Sequence, residues 1–268
     1  MEFLAIFGIV LLAAVVAGAS SGLLGVFVMG LKMPFLAICT SHSALAGAVL
    51  AELFGLPAGP GAFVGACFGA FILSVLLHRR NVDMNAALGI LFSLTIGLAF
   101  LGIGLNTGAK TGMFSLLWGS ILFVSWQHLA LMSLVAGLFL VFVLVYGKQL
   151  KLMLFSRETA ALLIGEALLL GMLMLLASAV IAVNMEIVGG LLVFSLISNP
   201  AIAALKIARG FGAALLWSVL LGVISALGGF VAAWRWNLPV GACIVIVSSL
   251  LVLVTVLGTD LRKRRAGK

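Results

Sequence analysis

Few side chains in this sequence can do chemistry, and those few are set in apolar surroundings. His42, Glu52 and Glu166 lie within long hydrophobic runs, and Glu186 lies at the edge of another. His42 is flanked by Ser41 and Ser43 and follows Cys39 by three residues. On a helix that starts near Met33 or Pro34, with proline suited to the first turn, His42 falls roughly 13 Å along the axis, near the middle of a bilayer. Residues three apart share a helix face, so Cys39 and His42 can point the same way, with Ser41 as a polar neighbour. An imidazole at that depth is a metal ligand or a proton acceptor. It is equally readable as a histidine hydrogen-bonded to a neighbouring helix, with Cys39 as plain packing.

The remaining candidates are simpler. Glu52 sits ten residues beyond His42 on a different azimuth, where it either lines a vestibule or snorkels to the membrane surface. Asn199 and Pro200 interrupt a hydrophobic run. Proline frees a backbone carbonyl there, and such breaks either line a cavity or are tolerated as kinks. His78 and His128 fall where the chain meets water. The three cysteines, Cys39, Cys67 and Cys243, form no CxxC pair and imply no disulfide framework. The sequence holds no P-loop, no HExxH and no paired carboxylates. It does not read as a self-contained enzyme, and active transport would need its energy from a separate subunit.

The elements that position these residues follow from composition. Of 268 residues, 65% are hydrophobic and only 8% are charged, with a mean hydropathy of +1.38. Soluble domains carry roughly 25% charged residues, so this surface must face lipid. A crossing helix needs about 20 apolar residues, and about nine runs qualify: 3–29, 34–54, 58–77, 84–105, 129–146, 159–183, 187–205, 211–234 and 238–257. Because the runs are continuous rather than alternating, they predict helices and not barrel strands. The expected fold is a single all-α transmembrane bundle over residues 1–268, with eight to nine spans.

Charge sets the orientation. With the N-terminus outside, the inner segments hold Lys32, Arg79, Arg80, Lys148, Lys151, Arg157, Lys206, Arg209, Arg262, Lys263, Arg264, Arg265 and Lys268, leaving only Lys110 and Arg235 outside. The net charge of +8 is thereby explained by topology, and no nucleic-acid partner is implied. Two connections are long. Residues 106–128 lie outside and contain a greasy stretch too short to span. Residues 147–158 lie inside, alternate basic with apolar residues, and end on Ser156 as an N-cap with Glu158 nearby. The latter predicts a short amphipathic helix, either resting on the membrane surface or docking a cytoplasmic partner. Small residues cluster at Gly18, Ser20, Ser21, Gly22 and Gly25 and at Gly59, Gly61, Gly65 and Gly69, and the repeated four-residue spacing of the second cluster permits tight helix packing.

Five ordered stretches resemble one family, the permease subunits of bacterial manganese, zinc and iron ABC importers of the metal-chelate type. The stretch from Gly22 to Leu50 resembles the family's G-D-A-x-S-H-x-x-x-P-G region, with Ser41, His42 and Gly47 matching. SLLWGSILFVSWQHL matches at Gly119 and Ser125. KLMLFSRETAALLIG resembles the family's cytoplasmic segment that contacts the ATPase, with Phe155, Glu158, Ala160 and Gly165 matching. EIVGGLLVFSLISNPAIAAL matches at Gly189, Pro200 and Ala201, and NLPVGACIVI at Leu238, Pro239 and Gly241. The sequence departs from the pattern where the family's metal-ligating aspartate becomes Ile38 and its glycine becomes Ala37. Ser156 likewise replaces a frequent aspartate.

The resemblance implies a permease of the bacterial inner membrane that pairs with a second copy of itself, with cytoplasmic ABC ATPases and with an extracytoplasmic metal-binding protein. No permanently bound cofactor is expected, and the transported divalent ion is the expected ligand. His42 carries over as a contact for it, and Cys39 offers a softer replacement for the missing carboxylate. A siderophore- or cobalamin-type permease is usually longer and lacks the S-H motif. A proton-coupled carrier would need a better relay than one histidine, while a structural subunit of a larger membrane complex fits the composition as well. The charge pattern yields a direct prediction. A cysteine placed after Arg265 is expected to resist a membrane-impermeant reagent added from outside; labelling from that side would reverse the topology.

Overall fold

A computed structural model describes residues 2–78, 83–105, 124–156, 159–160 and 166–266. Among them the chain forms ten helices and no strand. We number them α1 (Glu2–Gly30), α2 (Leu36–Leu53), α3 (Ala58–His78), α4 (Met84–Leu105), α5 (Trp126–Val145), α6 (Gly147–Phe155), α7 (Glu166–Val188), α8 (Gly190–Ile207), α9 (Phe211–Trp236) and α10 (Val240–Ala266). Eight are long and apolar enough to cross a membrane; the apolar part of α8, Leu192–Ile207, is shorter. The amphipathic α6 is too short to span. The expected all-α membrane bundle is therefore the observed fold. Phe68 and Phe71 on α3, Leu134 and Val141 on α5, and Leu253 and Val254 on α10 face outward, as lipid contact requires.

Glycine makes the bundle possible. α1 and α9 cross where a Cβ on Gly18 would meet the backbone of Gly222, and one on Gly22 would meet the backbone of Ser218. The close approach also lets Ser218 Oγ donate to the Gly22 carbonyl at 2.6 Å, fully buried. α2 and α3 repeat the device. Gly47 lies against Gly61 and Gly65, Gly65 against the Ser43 carbonyl, and Gly69 against the Ser43 side chain. Gly25 brings α1 onto the Ile197 carbonyl of α8, and Gly229 seats α9 on Ile244 of α10.

Polar side chains tie other pairs. Asn184, buried on α7, donates to Ser20 Oγ at 2.9 Å and Ser21 Oγ at 3.1 Å on α1. Asn199 on α8 donates to Ser248 Oγ at 2.9 Å and Ser249 Oγ at 3.2 Å on α10. Phe27 of α1 meets Phe139 of α5 and Phe211 of α9 edge-on, each at 6.1 Å.

Two local expectations shift. The run ending at Val183 continues as α7 to Val188, because Asn184 satisfies its amide inside the bundle and does not end the helix. The interruption expected at Pro200 lies nearly three turns into a continuous helix instead, since α8 runs through it. The chain breaks at Gly189, the single residue between α7 and α8, with φ 97° and ψ 145°, a conformation that side chains resist.

Close backbone contact predicts a selective effect of added bulk. Gly22→Leu is expected to cost about 1–3 kcal/mol or more, because backbone cannot give way, and to lower the melting temperature of the detergent-purified protein. Gly137→Leu, whose Cβ would meet nothing within 4 Å, is the matched control and should melt like wild type.

Candidate functional site

α2 begins later than its proline suggests. Pro34 lies in a turn closed by the Leu36 amide on the Met33 carbonyl at 3.0 Å, and Leu36 opens the helix. His42 is thus about 9 Å along an axis of about 27 Å, in the first third and not at its middle. Phe35, Ile38 and His42 form a stripe left partly open, while Cys39, Thr40, Ser41 and Ser43 are buried.

The four polar side chains of this turn point to different neighbours. His42 Nδ1 lies 2.9 Å from the Ile38 carbonyl one turn earlier. A carbonyl only accepts, so this contact places the proton on Nδ1 and leaves the Nε2 lone pair unshared. The ring meets Phe92 of α4 edge-on, with centroids 5.0 Å apart. Cys39 Sγ also turns to α4, donating to the Leu88 carbonyl at 3.2 Å. Ser41 Oγ donates to the Ala37 carbonyl at 2.8 Å and faces the start of α8, where a Cβ on Gly190 would lie 3.5 Å from Ser41 Cβ. Ser43 Oγ donates to the Cys39 carbonyl at 2.9 Å and faces α3. His42 and Cys39 therefore share the α4 side, whereas Ser41 belongs to the α7–α8 corner. Among the described residues, no three of His, Cys, Asp and Glu gather as a closed metal site. Sequence reasoning missed Phe92 and Leu88, because partners on another helix leave no trace in local spacing.

The other candidates are dispersed. Glu52 is partly buried at the far end of α2, and its Oε2 is enclosed with no hydrogen-bond partner among the described residues. Asn199 is engaged with α10, and Pro200 is buried inside α8.

At the opposite end of the bundle, α6 buries Leu150 and Met153 and presents Phe155, 90% exposed. Ser156 caps the next turn, its Oγ accepting the Thr159 amide at 3.3 Å and its carbonyl accepting the Ala160 amide at 3.0 Å. Ala160 is buried; Glu158 and Gly165 lie outside the described residues. Beside α6 opens a cleft of about 650 Å³, lined by Lys148, Lys151, Leu154, Phe155, Leu205 and Phe211 among others.

A profile of the ABC 3 transport family matches residues 4–259. The chain belongs to the ABC 3 transport family. Similar members include the chelated iron transport system membrane protein YfeD of Yersinia pestis, 29% identical over 92% of this chain and 83% of that protein. The manganese transport system membrane protein MntC of Halalkalibacterium halodurans is 29% identical over 90% of this chain and 83% of its own length. The manganese import system permease protein ScaB of Streptococcus parasanguinis is 26% identical over 91% and 88%. The fold matches that of PsaBC from Streptococcus pneumoniae, solved in complex with a Fab, with a TM-score of 0.82 at 24% identity over 95% of this chain and 93% of that one. Within this ABC 3 chain, Ile38 lies one turn from His42 and on the same partly open stripe.

Proposed function

We propose that this chain is the membrane-spanning permease subunit of an ATP-driven importer of divalent metal ions of the manganese, iron or zinc class. It works as a dimer in the bacterial inner membrane, with its N-terminus outside and its C-terminus in the cytoplasm. The observation that carries this reading is the state of His42. Its Nδ1 is occupied by the Ile38 carbonyl, so its Nε2 is the ligating atom, on a stripe that the chain leaves partly open. Backbone-anchored imidazoles are the usual form of a metal-binding histidine. The names of the relatives, which concern manganese and iron, support the same cargo.

The mechanism is displacement and not catalysis. A single imidazole per chain, doubled by a second copy, binds an ion weakly enough to release it onward. Ser41 and Cys39 already spend their protons on carbonyls. In this reading they hold the turn in place, and either contacts the ion only after turning away from its carbonyl. Glu52 collects cations at the outer end, and α8, with Asn199 and Pro200, borders the route inward. Substrate arrives on an extracytoplasmic binding protein. ATP is hydrolysed on separate cytoplasmic subunits that dock on α6, with Phe155 as the apolar anchor beside Lys148 and Lys151; Ala160, which is fully buried, offers no docking surface, and Glu158 and Gly165 lie outside the described residues. Such exposed aromatic anchors commonly dominate an interface.

Two experiments test this reading. In proteoliposomes holding the permease–ATPase complex, His42→Gln is expected to cut divalent-metal uptake at least about ten-fold, with expression and assembly intact. Wild-type uptake by His42→Gln, together with misfolding of His42→Leu, makes the histidine a structural hydrogen-bonding residue and sinks the metal contact. Phe155→Ala is expected to reduce co-purification of the ATPase and to lower coupled uptake, leaving the permease itself monodisperse. Unchanged assembly and uptake would remove α6 as the docking element.

A further inference from the structure

Three helix ends meet away from His42. His128 is the third residue of α5, Glu186 lies near the end of α7, and Gly59 is the second residue of α3. His128 Nε2 and Glu186 Oε1 stand 3.8 Å apart, with side chains 45% and 28% exposed. That separation is too long for a hydrogen bond, so the two groups face each other across a gap. Two ligands bound at about 2.1 Å to a tetrahedral ion lie about 3.4 Å apart, so a small rotation of either side chain fits the pair to one cation.

The surroundings prepare both groups. Ser125, the N-cap of α5, holds its Oγ 2.9 Å from His128 Nδ1 while accepting the His128 amide at 3.3 Å. The ring is thereby fixed with Nε2 toward the carboxylate, and Nδ1 can donate to the hydroxyl while Nε2 offers its lone pair. Gly59 makes room for the carboxylate, since a Cβ there would stand 2.9 Å from Oε1. The carboxylate also lies at the first turn of α3, the positive end of that helix's dipole. Glu186 is three residues from Gly189, and Gly190 just beyond it touches Ser41, the neighbour of His42.

We propose that His128 and Glu186 form an outer capture site for a divalent cation, joined through the Gly189 corner to the turn that carries His42. This rests on the import reading above. Two protein ligands with water completing the shell hold an ion loosely, as a transit station requires. The site also contains the carboxylate that Ile38 denies to the His42 turn.

The test uses the nucleotide-free permease–ATPase complex in nanodiscs with Mn²⁺ as the probe, read by electron paramagnetic resonance. In the His42→Gln background, bound Mn²⁺ is expected to retain a histidine nitrogen coupling, and that coupling should vanish on adding His128→Ala. Glu186→Gln and His128→Ala should each weaken binding about ten-fold and raise the Mn²⁺ concentration for half-maximal uptake to match. His128→Lys separates a ligand from an ion pair, because lysine keeps the positive partner but repels the cation; it is expected to behave like His128→Ala. Wild-type Mn²⁺ binding and uptake by His128→Lys, or by both other variants, overturns the site while leaving metal import standing. A wild-type complex that neither binds nor imports Mn²⁺ overturns both together.

Discussion

Lipid chains are as apolar as leucine, so helices in a bilayer gain little by hiding greasy surface from one another; their association has to come from contact at short range. In this protein that contact is backbone on backbone. Gly18 and Gly22 lie on Gly222 and Ser218, and Gly47 lies on Gly61 and Gly65, at separations that leave no room for a Cβ. The two crossings set α1 against α9 and α2 against α3. α2 also packs on α4, and α7 touches α1, α2, α3, α5 and α8. The azimuth of α2 follows from its glycine contact with α3. With Gly47 and Ser43 directed at α3, Cys39 and His42 are left to face α4, and Ile38 and His42 remain on the partly open side.

Polar residues do a different job within this frame. Asn184 and Asn199 each reach two serines on a neighbouring helix, while Ser41, Ser43 and His42 all return to carbonyls within their own helix. The first kind fixes which helices are neighbours. The second kind satisfies side chains without a partner helix, each sharing the carbonyl four residues earlier with the helix's own amide. The consequence for function is specific to histidine. A serine that donates its proton keeps only a weak neutral hydroxyl oxygen, whereas imidazole has a second nitrogen left over when the first is engaged.

Much of the bundle is legible in the sequence because hydrophobic length is a property of each segment alone. Residues 84–105 form α4 as their composition implies, and α6 follows the alternation of basic and apolar residues after Gly147. The boundaries that moved did so through contacts between segments. Asn184 reads as a loop residue until Ser20 and Ser21 come within reach from a helix more than 160 positions earlier. Pro200 reads as a break, yet α8 carries it, and the true corner is a glycine whose positive φ no hydropathy scale records. At the site, the candidate histidine was visible by type and neighbours, though not by depth, because α2 opens at Leu36 and not at Pro34. Its pairing with Phe92, the engagement of Cys39 by Leu88, and the meeting of His128 with Glu186 were not, since each joins helices far apart in sequence.

The replacement of an aspartate-like position by Ile38 then has a physical meaning on the proposed reading. A carboxylate one turn from His42 would give a hard oxygen beside a borderline nitrogen and hold a divalent ion more tightly, with preference for harder ions. Isoleucine leaves the nitrogen alone, which lowers the depth of the well and the barrier to leaving it. It also removes a charge whose burial in the membrane would cost free energy whenever the pathway is empty. On that reading a shallow well at His42 would not by itself concentrate a scarce ion, and selection would fall earlier, toward the outer end of the bundle. Glu186, facing an imidazole across 3.8 Å, places a carboxylate where water can still hydrate it, whereas one oxygen of Glu52 is enclosed without a partner among the described residues. On the proposed reading, a hard ligand at the outer end and a borderline one at His42 would grade the route from capture to release.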